Sequence, residues 1–70
     1  MTMELLIIKS GSEYIRVKEQ AYLLCKIDKA SVFSLEKLTE VKRHVEAVRN
    51  SGFQDVSIRK LVLREEPLDE

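Results

Sequence analysis

"DKASVFSLEKL", residues 28–38, is the stretch on which the fold turns, because the hydrophobic pattern changes period across it. Before it, "AYLLCKI" (21–27) repeats every second residue: Leu23, Cys25 and Ile27 share one side, and Tyr22, Leu24 and Lys26 share the other. That is a strand pattern. After it, Leu38, Val41, Val45 and Val48 are spaced three or four apart, with Leu35 beside them, which is the narrow apolar stripe of an amphipathic helix. Within the junction, Ser34 is a good helix N-cap, since its hydroxyl can accept a hydrogen bond from an orphaned backbone N–H. Leu35 is then the first helical residue, and Phe33 and Leu38 stand at the two positions that pack together in a hydrophobic staple. Glu36 falls in the first turn, where the helix dipole favours an acid, while Lys37 occupies the place of a capping-box glutamate. On this spacing Phe33 is an inward-facing structural residue; the competing reading is an exposed recognition aromatic.

Working outward, the helix is expected from Leu35 to about Asn50. Gly52 is suited to the left-handed residue that ends it, with Phe53 folding back on the last turn. Upstream, "ELLIIK" (4–9) has four consecutive aliphatics and no alternation, as in a strand covered on both faces. "SGS" follows, then "EYIRVK" (13–18), with Ile15 and Val17 opposite Tyr14, Arg16 and Lys18, so a β-hairpin is expected. Glu19 and Gln20 form the next turn. Downstream, "VSIRKLVL" (56–63) is a last strand whose alternation slips at Arg59 and Lys60, for which a β-bulge or an exchange of partner would account. Pro67 discourages further pairing. The expected fold is α+β, in the order β-β-β-α-β: a small, mostly antiparallel four-stranded sheet with one helix packed on one face. Residues 1–64 form the single domain and residues 65–70 an acidic tail.

Seventy residues support only one small core, and such domains usually gain stability from disulfides, a metal or a partner subunit. The single cysteine excludes an internal disulfide, and Cys25 with His44 falls short of a zinc ligand set. Hydrophobic residues make up 44% and charged residues 34%, a folding composition. Met1–Glu4 lacks a basic signal-type start, the apolar run at 5–8 is too short to span a membrane, and a lone thiol suits a reducing interior. A soluble cytoplasmic protein with no membrane association is therefore expected. Charge is unevenly distributed: the final "EEPLDE" carries four acids, leaving twelve bases against eight acids in the body, a formal net of +4. Such a tail is either a solvated end or a segment that screens a basic face on itself or a neighbour.

No motif carries catalytic chemistry, so no enzyme activity and no cofactor are expected. Cys25 alternates with Leu23 and Ile27, which assigns it to a buried, inert position on the helix side. His44 sits at the edge of the helix stripe near Glu40. Glu36 and Glu40 lie one turn apart but lack a second pair for a metal, and the two glycines are isolated, which leaves no phosphate-binding loop.

One constellation remains. If the hairpin register turns both sets outward, Tyr14, Arg16, Lys18, Tyr22, Leu24 and Lys26 form one sheet face, with two tyrosines among three cations. Such a face suits a homodimer, tyrosines at its centre and long side chains at its rim. The alternatives are a platform for single-stranded nucleic acid, in which bases stack on the rings, and an ordinary exposed sheet face. A single helix also covers only one face of a sheet whose first strand is apolar throughout, which favours self-association. "YIRVKEQAYLLCKIDKASVFSLEKLTEV" followed by "GFQDVSIRKLVL" resembles short bacterial and phage-associated proteins of unknown function, through a hairpin, Lys-Ala-x-Val-Phe, helix and strand pattern. The resemblance implies that Lys29, Ala30, Val32 and Phe33 are a structural junction, and implies no activity. The expectation is a small non-enzymatic domain acting by protein–protein contact as a homodimer.

Overall fold

The strand expected at residues 4–9 is longer than its apolar core suggests, and it stands in the interior of the sheet as that core implies. The computed structural model describes residues 2–69; Met1 and Glu70, the outer ends of the expected domain and tail, lie outside the described residues. Strand β1 runs over Thr2–Ser10, followed by β2 (Glu13–Lys18), β3 (Ala21–Cys25), β4 (Val32–Ser34), helix α1 (Leu38–Asn50) and β5 (Val56–Arg64). Single 3-10 turns at Ile27–Lys29 and Leu35–Lys37 flank β4. The fold is α+β, with five strands in one antiparallel sheet and one α-helix, so the expected four-strand count is one short.

β5 pairs with β1 along its whole length, from Thr2↔Arg64 to Ser10↔Val56. β2 and β4 must therefore share the other edge of β1. β2 takes Lys9 and Ser10, and β4 takes Leu5 to Ile7. The chain makes room for β4 because β2 leaves β1 after Tyr14 and pairs onward with β3. Ser31 stitches the gap: its N–H donates to the Ile15 carbonyl at 3.2 Å, and its Oγ accepts from the Val17 N–H at 2.8 Å. Three residues are too few to show a period, so β4 was invisible as a strand in the sequence.

This extra strand also changes the helix start. Ser34 is paired with Leu5 in the sheet and makes no side-chain cap bond. Residues 35–37 form a 3-10 turn, and α1 begins only at Leu38. Leu35 and Leu38 are both exposed, so the expected staple with Phe33 does not form. Phe33 is half-buried against the core instead, 5.6 Å ring to ring from His44. The far end of the helix follows the expectation. Gly52 has φ +95°, its N–H donates to the Arg49 carbonyl at 3.0 Å, and Phe53 turns back onto the core.

The core lies between α1 and one face of the sheet. It joins Val41, Val45 and Val48 to Leu6, Ile8, Ile15 and Val56. Opposite residues of an antiparallel ladder share a face, so the registers assign every strand position to the inner, helix-covered face or to the outer face. They correct two expectations. The β1–β5 register is continuous, so no bulge interrupts β5. Its inner face simply outruns the helix: Val56 and Ile58 pack on the core, while Lys60 lies beyond it and pairs with Glu4 at 3.5 Å. The two-residue turn at Glu19 and Gln20 sets Lys18↔Ala21, so Tyr14 faces Cys25 and Val17 faces Tyr22. Even-numbered residues of β2 thus share a face with odd-numbered residues of β3. Gln20 accepts the left-handed conformation, φ +66°, that this tight turn requires.

Candidate interaction face

That register divides the six residues expected to form one surface. Tyr14, Arg16 and Lys18 are on the outer face, while Tyr22 and Leu24 are on the inner face beside Ile15 and Val17. Lys26 lies past the end of β3, where its carbonyl accepts from the Lys29 N–H at 3.0 Å. Tyr22 packs on the core, and its hydroxyl and His44 Nδ1 are 3.0 Å apart in a hydrogen bond, with the two rings edge to face. Leu24 is half-exposed and lines an open cleft of about 530 Å³ between the β1–β2 and α1–β5 loops. Two bonds across that cleft hold the loops together. Ser10 Oγ donates to the Gln54 carbonyl at 2.6 Å, and the Gly11 N–H donates to the Asp55 carbonyl at 3.2 Å.

The outer face has a different composition from the one expected. Its centre is the β1–β5 ladder, with Met3 opposite Leu63 and Leu5 opposite Leu61, then Ile7 between Val32 of β4 and Arg59 of β5. Ile7 is buried without joining the helix-side core. Met3 is 59% exposed, Val32 46% and Leu63 44%. These residues form an apolar band at the end of the sheet where β1 begins and β5 finishes. Past Ile7 and its neighbour Arg59, Lys9, Arg16 and Lys18 also point outward toward the other end, and Lys9 Nζ stands 5.6 Å over the Tyr14 ring. No strand position on this face carries an acid among the described residues. α1 lies on the opposite face, so no helix longer than one turn covers the band.

Cys25 is on this outer side, opposite Tyr14, and only half-buried, which corrects its expected place under the helix. Its Sγ donates to the Tyr14 carbonyl at 3.5 Å. Burial pushes its thiol above the ordinary cysteine value, against the opposing pull of Arg16. No three metal-ligating side chains come together among the described residues. No described helix is long and apolar enough to cross a membrane.

The band at Met3, Val32, Leu61 and Leu63 lies on β1, β4 and β5, away from the hairpin that carries the tyrosines. Its signal was nevertheless present: the four unbroken aliphatics at 5–8, and the second phase of β5, in which Leu61 and Leu63 oppose Val56 and Ile58. No protein-family model, no curated protein and no solved structure matches the chain.

Proposed function

We propose that this chain is a small non-enzymatic interaction domain that acts as a homodimer, pairing through the outer face of its sheet. The observation that carries this reading is the contiguous apolar band of Met3, Leu5, Val32, Leu61 and Leu63 on a face that α1 leaves uncovered. Fully burying a large aliphatic side chain is worth about 1.5–3 kcal/mol, so several half-exposed ones on one surface favour a partner. A second copy offers the same band, and a two-fold axis satisfies both at once. A non-enzymatic role fits the chemistry present: the His44 ring is held by Tyr22 and Phe33, and burial pushes the Cys25 thiol above its ordinary value, away from an activated thiolate. A reducing cytoplasm suits an unpaired thiol of this kind.

The nucleic-acid reading is second. The four outer cations support it, but the two tyrosines face opposite sides of the sheet, and Tyr22 is occupied by His44. Tyr14 alone gives a base one ring on which to stack. Sedimentation velocity from 1 to 100 µM tests both readings. A concentration-dependent dimer is expected. A monomer throughout that range, binding single-stranded DNA or RNA with steep salt dependence, would replace the first reading with the second.

A further inference from the structure

The acidic residues after β5 and the cations of the outer face are complementary in charge, yet within one copy Lys9 is at the opposite end of the sheet from the tail. Arg64 is level with Thr2 in the β1–β5 register, and Lys9 is seven residues further along β1, about 23 Å away at strand spacing. Glu65 and Glu66 extend at most about 7 Å past Arg64, so neither reaches Lys9 of its own chain. Fully extended and turned back on itself, the tail would carry Asp69 about 17 Å, level with Arg59 at the most and short of Lys9. Residues 65–69 form no helix or strand and are exposed. The contact that the tail does make, Arg64 Nε to Glu66 Oε1 at 3.4 Å, joins two largely exposed side chains and holds little in place.

We infer that in the dimer the acidic tail of each copy clasps the Lys9–Arg59 end of the other copy's outer face, which makes the facing strands antiparallel across the interface. This rests on the homodimer reading above and specifies its geometry. Two sheets stacked face to face are related by a two-fold axis lying in the plane between them. An axis parallel to the strands sets the cationic ends of both copies together, where like charges repel. An axis perpendicular to the strands reverses their direction, so that the cationic end of each copy meets the tail end of the other. Passing that axis through the Leu5–Leu61 pair sets these two residues over their own copies and Met3 over Ile7 of the other copy, while Leu63 packs on the stem of the other copy's Arg59. Glu65, four residues beyond Leu61, then comes level with Lys9 of the other copy, four residues beyond Leu5. The same axis keeps β5 over β5, so the tail descends beside Ser57, with Lys9 on the adjacent strand and Arg59 two residues along. One operation thus satisfies the apolar overlap and the charge match together.

The test uses full-length chains and sedimentation at 50 and 500 mM NaCl. The wild-type dimer is expected to weaken about tenfold across that range, as partly screened surface pairs do. The double variant Glu65→Gln, Glu66→Gln alters only the exposed tail, and is expected to dimerise more weakly at low salt with a flat salt response. The decisive pair is Lys9→Glu, Arg59→Glu on one chain and Glu65→Lys, Glu66→Lys on another. Each opposes like charges twice in its own homodimer, so each alone is expected to lose about 100-fold in affinity at 50 mM NaCl. Mixed, they oppose unlike charges at both ends, and the heterodimer is expected to recover to within about tenfold of wild type. A wild-type dimer whose two reversed variants gain nothing on mixing overturns the clasp and leaves the apolar pairing standing. A wild type that remains monomeric overturns both.

Discussion

Replacing Leu63 by aspartate separates the outer face from the rest of the molecule. Leu63 points outward opposite Met3 and retains 44% of its exposure. That is roughly 80 Å² of apolar surface, worth about 2 kcal/mol at ~25 cal/mol per Å² if a partner covers it. A two-fold interface uses each residue twice, so Leu63→Asp removes about 4 kcal/mol from the dimer, or roughly a thousandfold in Kd, before any cost of desolvating the carboxylate. The monomer loses the slightly larger part of the side chain that its own fold buries, roughly 100 Å² or about 2.5 kcal/mol on the same scale. Val62→Asp is the matched control. Val62 is the neighbouring residue on β5, 53% exposed, and points to the inner face beyond the helix. Sedimentation equilibrium, with urea titration at a concentration where both variants are monomeric, reads the two effects separately. Leu63→Asp should abolish the dimer and Val62→Asp should keep it, at similar cost to the monomer. Equal damage by both variants, or a Leu63→Asp dimer within tenfold of wild type, would refute the placement of the interface.

Other substitutions examine the inner face and the thiol. Tyr22→Phe should cost about 0.5–1.5 kcal/mol in urea titration through loss of the bond to His44, and Tyr22→Asp should destabilise the fold itself rather than the dimer alone. Ser34→Ala should stay within about 0.5 kcal/mol, because that hydroxyl caps nothing; a loss near that of a true N-cap would mean the helix starts earlier. Phe33→Ala should cost about 2 kcal/mol by thermal or urea unfolding, less than a fully buried phenylalanine, since the ring is only half-buried beside His44. Alkylation of Cys25 should be slower in the native protein than in denaturant at pH 8. With its thiol pKa raised, the native rate should keep climbing with pH after that of the unfolded chain has levelled off; coincident profiles would contradict the raised value.

What could be read from the sequence followed from periods long enough to repeat. The helix stripe Val41, Val45 and Val48, its end at Gly52, the two hairpins and the single apolar core all came from such patterns. What escaped was set by register, which a single strand does not display. Tyr22 looked like a companion of Tyr14 because both are even-numbered. With two residues in the turn, however, pairing joins numbers of opposite parity, and Tyr22 passes to the helix side. The two-residue turn at Glu19 and Gln20, itself legible in the sequence, already implies this parity. Val32–Ser34 escaped for another reason: its strand character comes from the free edge of β1 and the anchoring of Ser31, not from its own side chains. Lys60 suggested a defect only because the extent of helix cover was unknown; in the structure it stands beyond the helix with Glu4 as its partner.

The pairing of Thr2–Ser10 with Val56–Arg64 also bears on the order of events during folding. The β1–β2–β3 meander can form from neighbouring segments, but β1 waits for its longest partner until nearly all of the described chain has been made. Joining such distant segments requires closure of a long loop, and folds dominated by such contacts form slowly. Until β5 docks, one edge of β1 has no strand beside it, and Val56 and Ile58 are missing from the core. A nascent chain halted before residue 56 would therefore present an open, aliphatic strand edge, which is the kind of template on which chains aggregate.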